Sequence, residues 1–237
     1  MKITSICQPH FFPWIGYFNM INNSSDFIFL DNVQYNRRSW QNRVHIIDFN
    51  NSNKKWLSMS LKNSSRKFQI NQVYLSKTSL KNFKNQLFEN YKSSKYFEIY
   101  FNLFSEILEN NLDKNLSDLN INIIKSLCKL LNINLSFKLS SSFKIKERKE
   151  NLILSLLKEN SSSAYLANDG SLNYANANFF KKRKIKMKPH NFIHPQYDQK
   201  QKNNQKFIKG LSVMDLLFNV GKDSIPIIKN YKVDFSG

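Results

Sequence analysis

The sequence predicts an α/β protein: a mixed, mainly parallel sheet that opens with a βαβ unit and has a helical middle segment packed against it. Three observations carry this. A strand, a helix and a second strand follow one another within the first 30 residues. Between about residues 78 and 132, three segments repeat apolar side chains every three to four positions. After residue 132, short apolar runs again alternate with helical patterns, which favours one body over two unrelated domains. The expected organisation is one α/β domain over 1–221, with a helical insertion at about 78–132 and a tail over 222–237.

Ile3 to Cys7 reads as a short buried strand. Pro13 suits a first helical turn, so a helix starts near Pro13-Trp14 and carries Ile15, Phe18 and Ile21 on one face. Ser24 to Asp26 break it, and Phe27 to Leu30 form a second buried strand ending at Asp31. Trp40 to Ile47 is expected as a third strand, with Arg43 and His45 on one face by period two. Trp56 to Leu61 would pair with it through a turn at Asn50 to Asn53, and Phe68 to Leu75 reads as a further strand.

The middle helices are Leu80 to Tyr91, Tyr96 to Leu108, and Leu116 to Leu131 with Ser117 as its N-cap. Leu135 to Leu139 is a strand, followed by a polar break at Ser140 to Ser142. Glu147 to Glu159 is a helix and Ala164 to Ala167 a strand. Asn168-Asp169-Gly170 is a turn signal, Tyr174 to Phe180 a short helix, and Ile185 to Met187 a strand. A polar loop over 198–209 leads to a last helix, Leu211 to Val220, stopped by Gly221. Asp215 on that helix reads as a solvated or capping residue.

The 237 residues are 41% hydrophobic and 14% aromatic, enough for a sizeable core. The net charge is +19, with 30 Lys against 6 Arg. Lys falls on nearly every element, which points to a solvated Lys/Asn-rich surface before a nucleic-acid face. Cys7 and Cys128 read as reduced core residues. There is no secretory signal and no apolar run of ~20 residues, so the expectation is a cytoplasmic protein without a transmembrane segment. No metal-ligand spacing, GxGxxG, Walker loop or GxSxG elbow is present, and His190 and His194 lie in a Pro-flanked segment unsuited to a helical zinc face.

The segment from Gln8 to Arg43 stands out: QPHFFPWIGYFNMINNSSDFIFLDNVQYNRRSWQNR. It holds two of three Trp, two of five Pro, one of four His and three of six Arg. Ligands of open parallel sheets bind beyond the carboxyl ends of the strands, where Gln8, His10, Asp31 and Gln34 would lie. His10 is a candidate general base or phosphate-contacting imidazole. Asp31 is a candidate partner for a sugar hydroxyl, an amine or Mg²⁺ on a diphosphate. Gln8 and Gln34 suit a polar ligand, or local backbone in a turn.

Arg37, Arg38 and Arg43 are the anion candidates. In a chain so biased to Lys, a retained Arg suggests that its bidentate fork is needed. Tyr35 and Asn42 belong to the same polar set. Trp14, Tyr17, Trp40 and Trp56 would stack on a base or sugar ring, or pack in the core.

QPHFFPWIGYF followed by DFIFLDNVQYNRRSWQNR closely resembles the WbqC-like protein family. Tyr165-Leu166, Tyr174 and Phe179, Pro195-Gln196-Tyr197 and the late LSVMDLLFNVG agree in the right order. The resemblance implies a role in bacterial surface-polysaccharide (O-antigen) biosynthesis. The expected activity is a transferase acting on an activated or amino sugar, with acyl or aminoacyl transfer favoured. CoA or a nucleotide sugar would be the co-substrate. His10 or Asp31 would take the proton, and the Arg cluster would hold the anionic carrier. The alternatives are a non-catalytic basic nucleic-acid-binding protein, or a scaffold of a polysaccharide enzyme complex. The sequence leaves oligomeric state open.

Overall fold

The computed structural model describes residues 1–63, 67–172, 175–202 and 206–235. In chain order the elements are β1 (Ile3–Cys7), α1 (Ile15–Asn22), β2 (Asp26–Phe29), β3 (Arg43–Asp48) and β4 (Asn53–Ser58). The helices α2 (Leu80–Tyr91), α3 (Phe97–Glu109) and α4 (Leu116–Leu130) follow. Then come β5 (Ser136–Leu139), α5 (Lys149–Glu159), β6 (Ala164–Ala167), α6 (Asp169–Leu172), α7 (Ala177–Lys181) and β7 (Lys186–Pro189). The chain closes with α8 (Val213–Val220) and α9 (Ser224–Lys229).

Five strands form one sheet in the order β5-β2-β1-β6-β7, and every neighbouring pair is parallel. From β1 the chain fills one side of the sheet with β2 and β5. It then crosses back to place β6 and β7 on the other side. The direction of winding therefore reverses between β1 and β6, which is where open α/β sheets leave a crevice for ligands.

Both faces of the sheet are covered at its centre, where β6 (AYLA) and Phe27 to Phe29 of β2 are apolar and buried throughout, whereas the edge strands β5 (SFKL) and β7 (KMKP) carry Lys. Side chains divide between the faces with period two. Phe27, Phe29 and Leu166 join the larger core with α1, the middle helices and α8. Ile6, Ile28 and Tyr165 join the smaller core under α5 and α7. The middle helices thus pack on the sheet as expected, with Phe83, Phe104 and Leu119 almost fully buried. Each such side chain contributes about 1.5–3 kcal/mol by leaving water.

The antiparallel pair β3–β4 forms a separate two-stranded sheet. It starts later and turns earlier than the residue pattern suggests: Trp40, Gln41 and Asn42 remain in the preceding loop, and Asp48 already pairs with Asn53. The strand expected over Phe68 to Leu75 is instead a short 3-10 turn at Ile70–Gln72 between isolated bridges. Ile70 and Val73 are both fully buried although three positions apart, a spacing no strand can serve on one face.

Ser117 does not cap α4. The side chain of Asn115 accepts from the Asp118 backbone N–H at 3.0 Å, and Ser117 is buried as the second residue of the helix. The expected turn at Asn168 to Gly170 closes into the single helical turn α6 because the Asn168 side chain accepts from the Ser171 N–H at 2.9 Å. Tyr174, expected to open the next helix, and residues 203–205 of the polar loop lie outside the described residues. At the end of α8, Gly221 adopts φ +66° with Tyr96 ring carbons 2.9 Å from where a Cβ would sit, so only glycine fits.

The final segment is tied to the core. Asn19, fully buried on α1, donates to the carbonyls of Ile228 at 2.6 Å and Tyr231 at 2.9 Å. Its Oδ1 lies 2.8 Å from His190 Nε2 at the end of β7. Among the described residues, no helix is long and apolar enough to cross a membrane.

Candidate functional site

A cavity of about 460 Å³ opens at the carboxyl ends of β1 and β6, at the reversal of winding. Five of the expected site residues line it: Gln8, His10, Trp14, Tyr17 and Trp40. The opposite wall comes from Asn168 to Ser171 after β6, and from His190 and Phe192 after β7. Among the described residues no Lys or Arg lines it, and Asp169 is its one acidic residue.

His10 emerges from Pro9 directly beyond β1. Its ring lies 5.3 Å from that of Tyr17 and stacks at 6.4 Å from Trp40. Its Nδ1 is buried without a hydrogen-bond partner among the described residues. Burial pushes its pKa down to about 4, so at neutral pH the imidazole is uncharged and can accept a proton or a hydrogen bond. Cys7 also reaches the cavity, but burial raises its thiol to about 12, so it stays protonated and is no nucleophile. Among the described residues, no group of three or more His, Cys, Asp and Glu could hold a metal ion.

The loop after β2 is drawn onto the end of β1. Gln41, fully buried, donates from Nε2 to Gln8 Oε1 at 2.8 Å. Buried Asn120 on α4 donates to the carbonyls of Pro9 at 3.0 Å and Gln41 at 2.8 Å. The Tyr17 hydroxyl donates to the Gln8 carbonyl at 2.9 Å. The loop therefore stands as a fixed wall: Asn36, Ser39 and Trp40 face the cavity from it.

On its other side the same loop borders a shallow depression lined by Tyr35, Arg37, Arg38, Asn42 and Arg43, with Ser58 of β4. The Tyr35 hydroxyl donates to Asn42 Oδ1 at 3.2 Å. The Arg43 guanidinium lies 3.8 Å over the Trp56 ring and donates from Nε to the Ser39 carbonyl at 3.2 Å. Desolvation first, and the charge of Arg38 second, lower the pKa of Arg43. Among the described residues no carboxylate forms an ion pair with Arg37, Arg38 or Arg43. An anion placed here would relieve their mutual repulsion.

A row of rings joins the two places. His10 stacks on Trp40, Trp40 lies 4.8 Å from Trp56, and Trp56 carries Arg43. His45 packs 3.6 Å from Trp56, its cross-strand partner, so Arg43 and His45 share a face as their spacing predicts. The remaining two expected residues lie apart. Asp31 is buried and accepts from Ser140 Oγ at 2.9 Å, Ser141 N at 2.9 Å and Ser141 Oγ at 2.6 Å, which ties β2 to the end of β5. Gln34 is exposed and bridges to Gln69.

A profile of the WbqC-like protein family matches residues 8–227. The chain belongs to the WbqC-like protein family. It is 25% identical over 226 residues to Uncharacterized protein Rv1507c of Mycobacterium tuberculosis (strain ATCC 25618 / H37Rv), covering 94% of this chain and 96% of that one. No solved structure matches the chain.

In this WbqC-like chain the QPHFFPWIGY motif builds one wall of the cavity and the NRRSWQNR motif builds the divider between cavity and depression. The second wall was not expected. Asn168-Asp169-Gly170 after a strand carries a weak signal, since the same residues serve any turn. Gln41, Asn19 and Asn120 were missed as well, because nothing local to a neutral amide says which groups will reach it in the fold. Asp215, read as a solvated or capping residue, is fully buried and accepts from Tyr197 at 2.7 Å and Gln199 at 3.1 Å. Burial raises its pKa to about 6.

Proposed function

We propose that this WbqC-like protein is a cytoplasmic enzyme of bacterial surface-polysaccharide (O-antigen) biosynthesis. Its activity would be a transferase that moves an acyl or aminoacyl group onto an amino sugar. The observation that carries the reading is His10, its buried Nδ1 without a hydrogen-bond partner among the described residues, inside a cavity of rings, neutral amides and the single carboxylate of Asp169, with Arg37, Arg38 and Arg43 across one loop. Such a cavity suits an uncharged polyol: rings cover its apolar face and amides meet its hydroxyls. The Arg depression suits the phosphates of the carrier, CoA or a nucleotide.

In the acyl-transfer version the sugar amine attacks the carrier's acyl carbon. The carbon–nitrogen bond forms and the carbon–sulfur bond of the thioester breaks. His10 takes the proton that the nitrogen loses and returns it to the departing thiolate. Holding the carrier by its remote phosphates positions the reacting atoms without a covalent intermediate.

The test is thermal shift against UDP-sugars, CoA, acetyl-CoA and single-stranded oligonucleotides at low and moderate salt, followed by turnover with whichever pair binds. A sugar nucleotide or CoA should raise the midpoint at both salts, since a ligand of the folded state stabilises by mass action. His10→Asn should retain binding and lose turnover by about a hundredfold or more. If oligonucleotides alone bind, and only at low salt, the enzyme reading fails and the +19 charge acts non-specifically.

A further inference from the structure

Gln8 is a neutral amide whose two ends, one donor and one acceptor, are nearly equal in shape. Which end faces a ligand decides what that ligand must carry. The answer is set two hydrogen bonds away from Gln8. The Asn36 backbone N–H, which can only donate, points at Gln41 Oε1 at 3.1 Å. That fixes the oxygen of Gln41 and leaves its Nε2 as the end that meets Gln8, at 2.8 Å. Gln8 must therefore accept there with Oε1. Its Nε2 has no hydrogen bond among the described residues, and Gln8 lines the cavity. Turning the Gln41 amide would set its NH₂ against the Asn36 N–H, donor against donor, at a fully buried residue.

We propose that Gln41 is a positioning residue that locks Gln8 with its N–H groups toward the cavity, so that the site selects a ligand presenting an uncharged oxygen, carbonyl or hydroxyl, at Gln8. This rests on the cavity being the ligand site, as argued above, and narrows it. Among the described residues no Lys or Arg lines the cavity, so Gln8 is a donor without positive charge. A sugar hydroxyl or the carbonyl of an N-acyl substituent satisfies it. A ligand offering only a donor leaves the Gln8 amide facing another donor, and both lose a bond they had in water.

The relay is tested by side-chain amide exchange in ¹⁵N-labelled protein without ligand. The Gln8 pair is assigned by its loss in Gln8→Glu, and the Gln41 pair by its through-space contact with the Asn36 amide. The Gln41 pair should be protected from exchange and the Gln8 pair should exchange fast. A protected Gln8 pair beside a fast Gln41 pair means the amides are turned the other way and overturns the proposal. UDP-N-acetylglucosamine is then titrated. On binding, the Gln8 pair should become protected, and Gln8→Glu should bind about tenfold more weakly or worse, because a carboxylate replaces the donor. Equal affinity in Gln8→Glu overturns the selection claim. If the wild type binds no sugar nucleotide, it is the proposed function that fails, and the exchange order in the free protein still decides the relay.

Discussion

The indole of Trp14 lies across Gly16 so closely that a Cβ added at residue 16 would meet its ring carbons at 2.2–2.6 Å. Trp14 precedes α1, lines the cavity, stacks at 6.2 Å on His194 and meets Phe192 edge-on at 5.5 Å. Gly16→Ala must push the indole aside. The expected outcome is a stability loss of about 1–3 kcal/mol from overpacking, with cavity ligands weakened at least tenfold. Urea unfolding followed by calorimetric titration checks both. If ligand affinity is unchanged, Trp14 is core and no part of the binding wall.

That relationship also marks how far the sequence was legible. β1, α1 and β2 were readable because short segments rich in apolar residues are bounded by Pro and Ser, and because the residues beyond β1 lie in one segment. The far wall was not readable. Ser5 pairs with Leu166 across 161 intervening bonds of chain order, and nothing local to Asn168 says which strand lies beside it. Buried polar residues were misread for a related reason. Gln41 and Asp215 are interior only because Asn36 and Gln8, or Tyr197 and Gln199, arrive to satisfy them.

Asp31 illustrates the same point in the opposite direction. Its position at a strand end fits catalysis, yet three hydrogen bonds from Ser140 and Ser141 occupy it. Asp31→Ala would leave those donors unmatched and is expected to cost about 2–3 kcal/mol. Turnover per folded molecule should stay within about threefold of wild type, against a far larger loss in His10→Asn. A catalytic collapse in Asp31→Ala with the melting temperature unchanged would return Asp31 to the reaction.

Arg43→Lys separates charge from shape. Lys keeps the cation but loses the planar stack on Trp56 and the Nε bond to Ser39. Affinity for UDP or CoA, measured by calorimetry, should fall about tenfold, or about 1.4 kcal/mol. Affinity within twofold of wild type would mean that the depression offers only diffuse charge, and the bidentate argument would be lost.

Stability should depend on pH through two opposed sets of buried groups. Burial lowers His10, His45 and His190 to about 4 from an ordinary value of 6.5, with Lys54 and Arg43 adding to the effect at His45. Between pH 6.5 and 4 the unfolded chain binds protons at these positions that the folded protein refuses, so stability falls as pH falls. Asp215 works the other way. Its folded pKa of about 6 lies above the usual carboxylate value, so its contribution is full below that usual value and is lost as pH rises through 6. Three imidazoles outweigh one carboxyl, and the melting temperature should drop on acidification from pH 6.5 to 4. Asp215→Asn removes the opposing group, so its acid drop should be steeper than that of the wild type. Calorimetric melting from pH 4 to 8 decides it, and a shallower drop in Asp215→Asn would show that Asp215 is charged throughout that range.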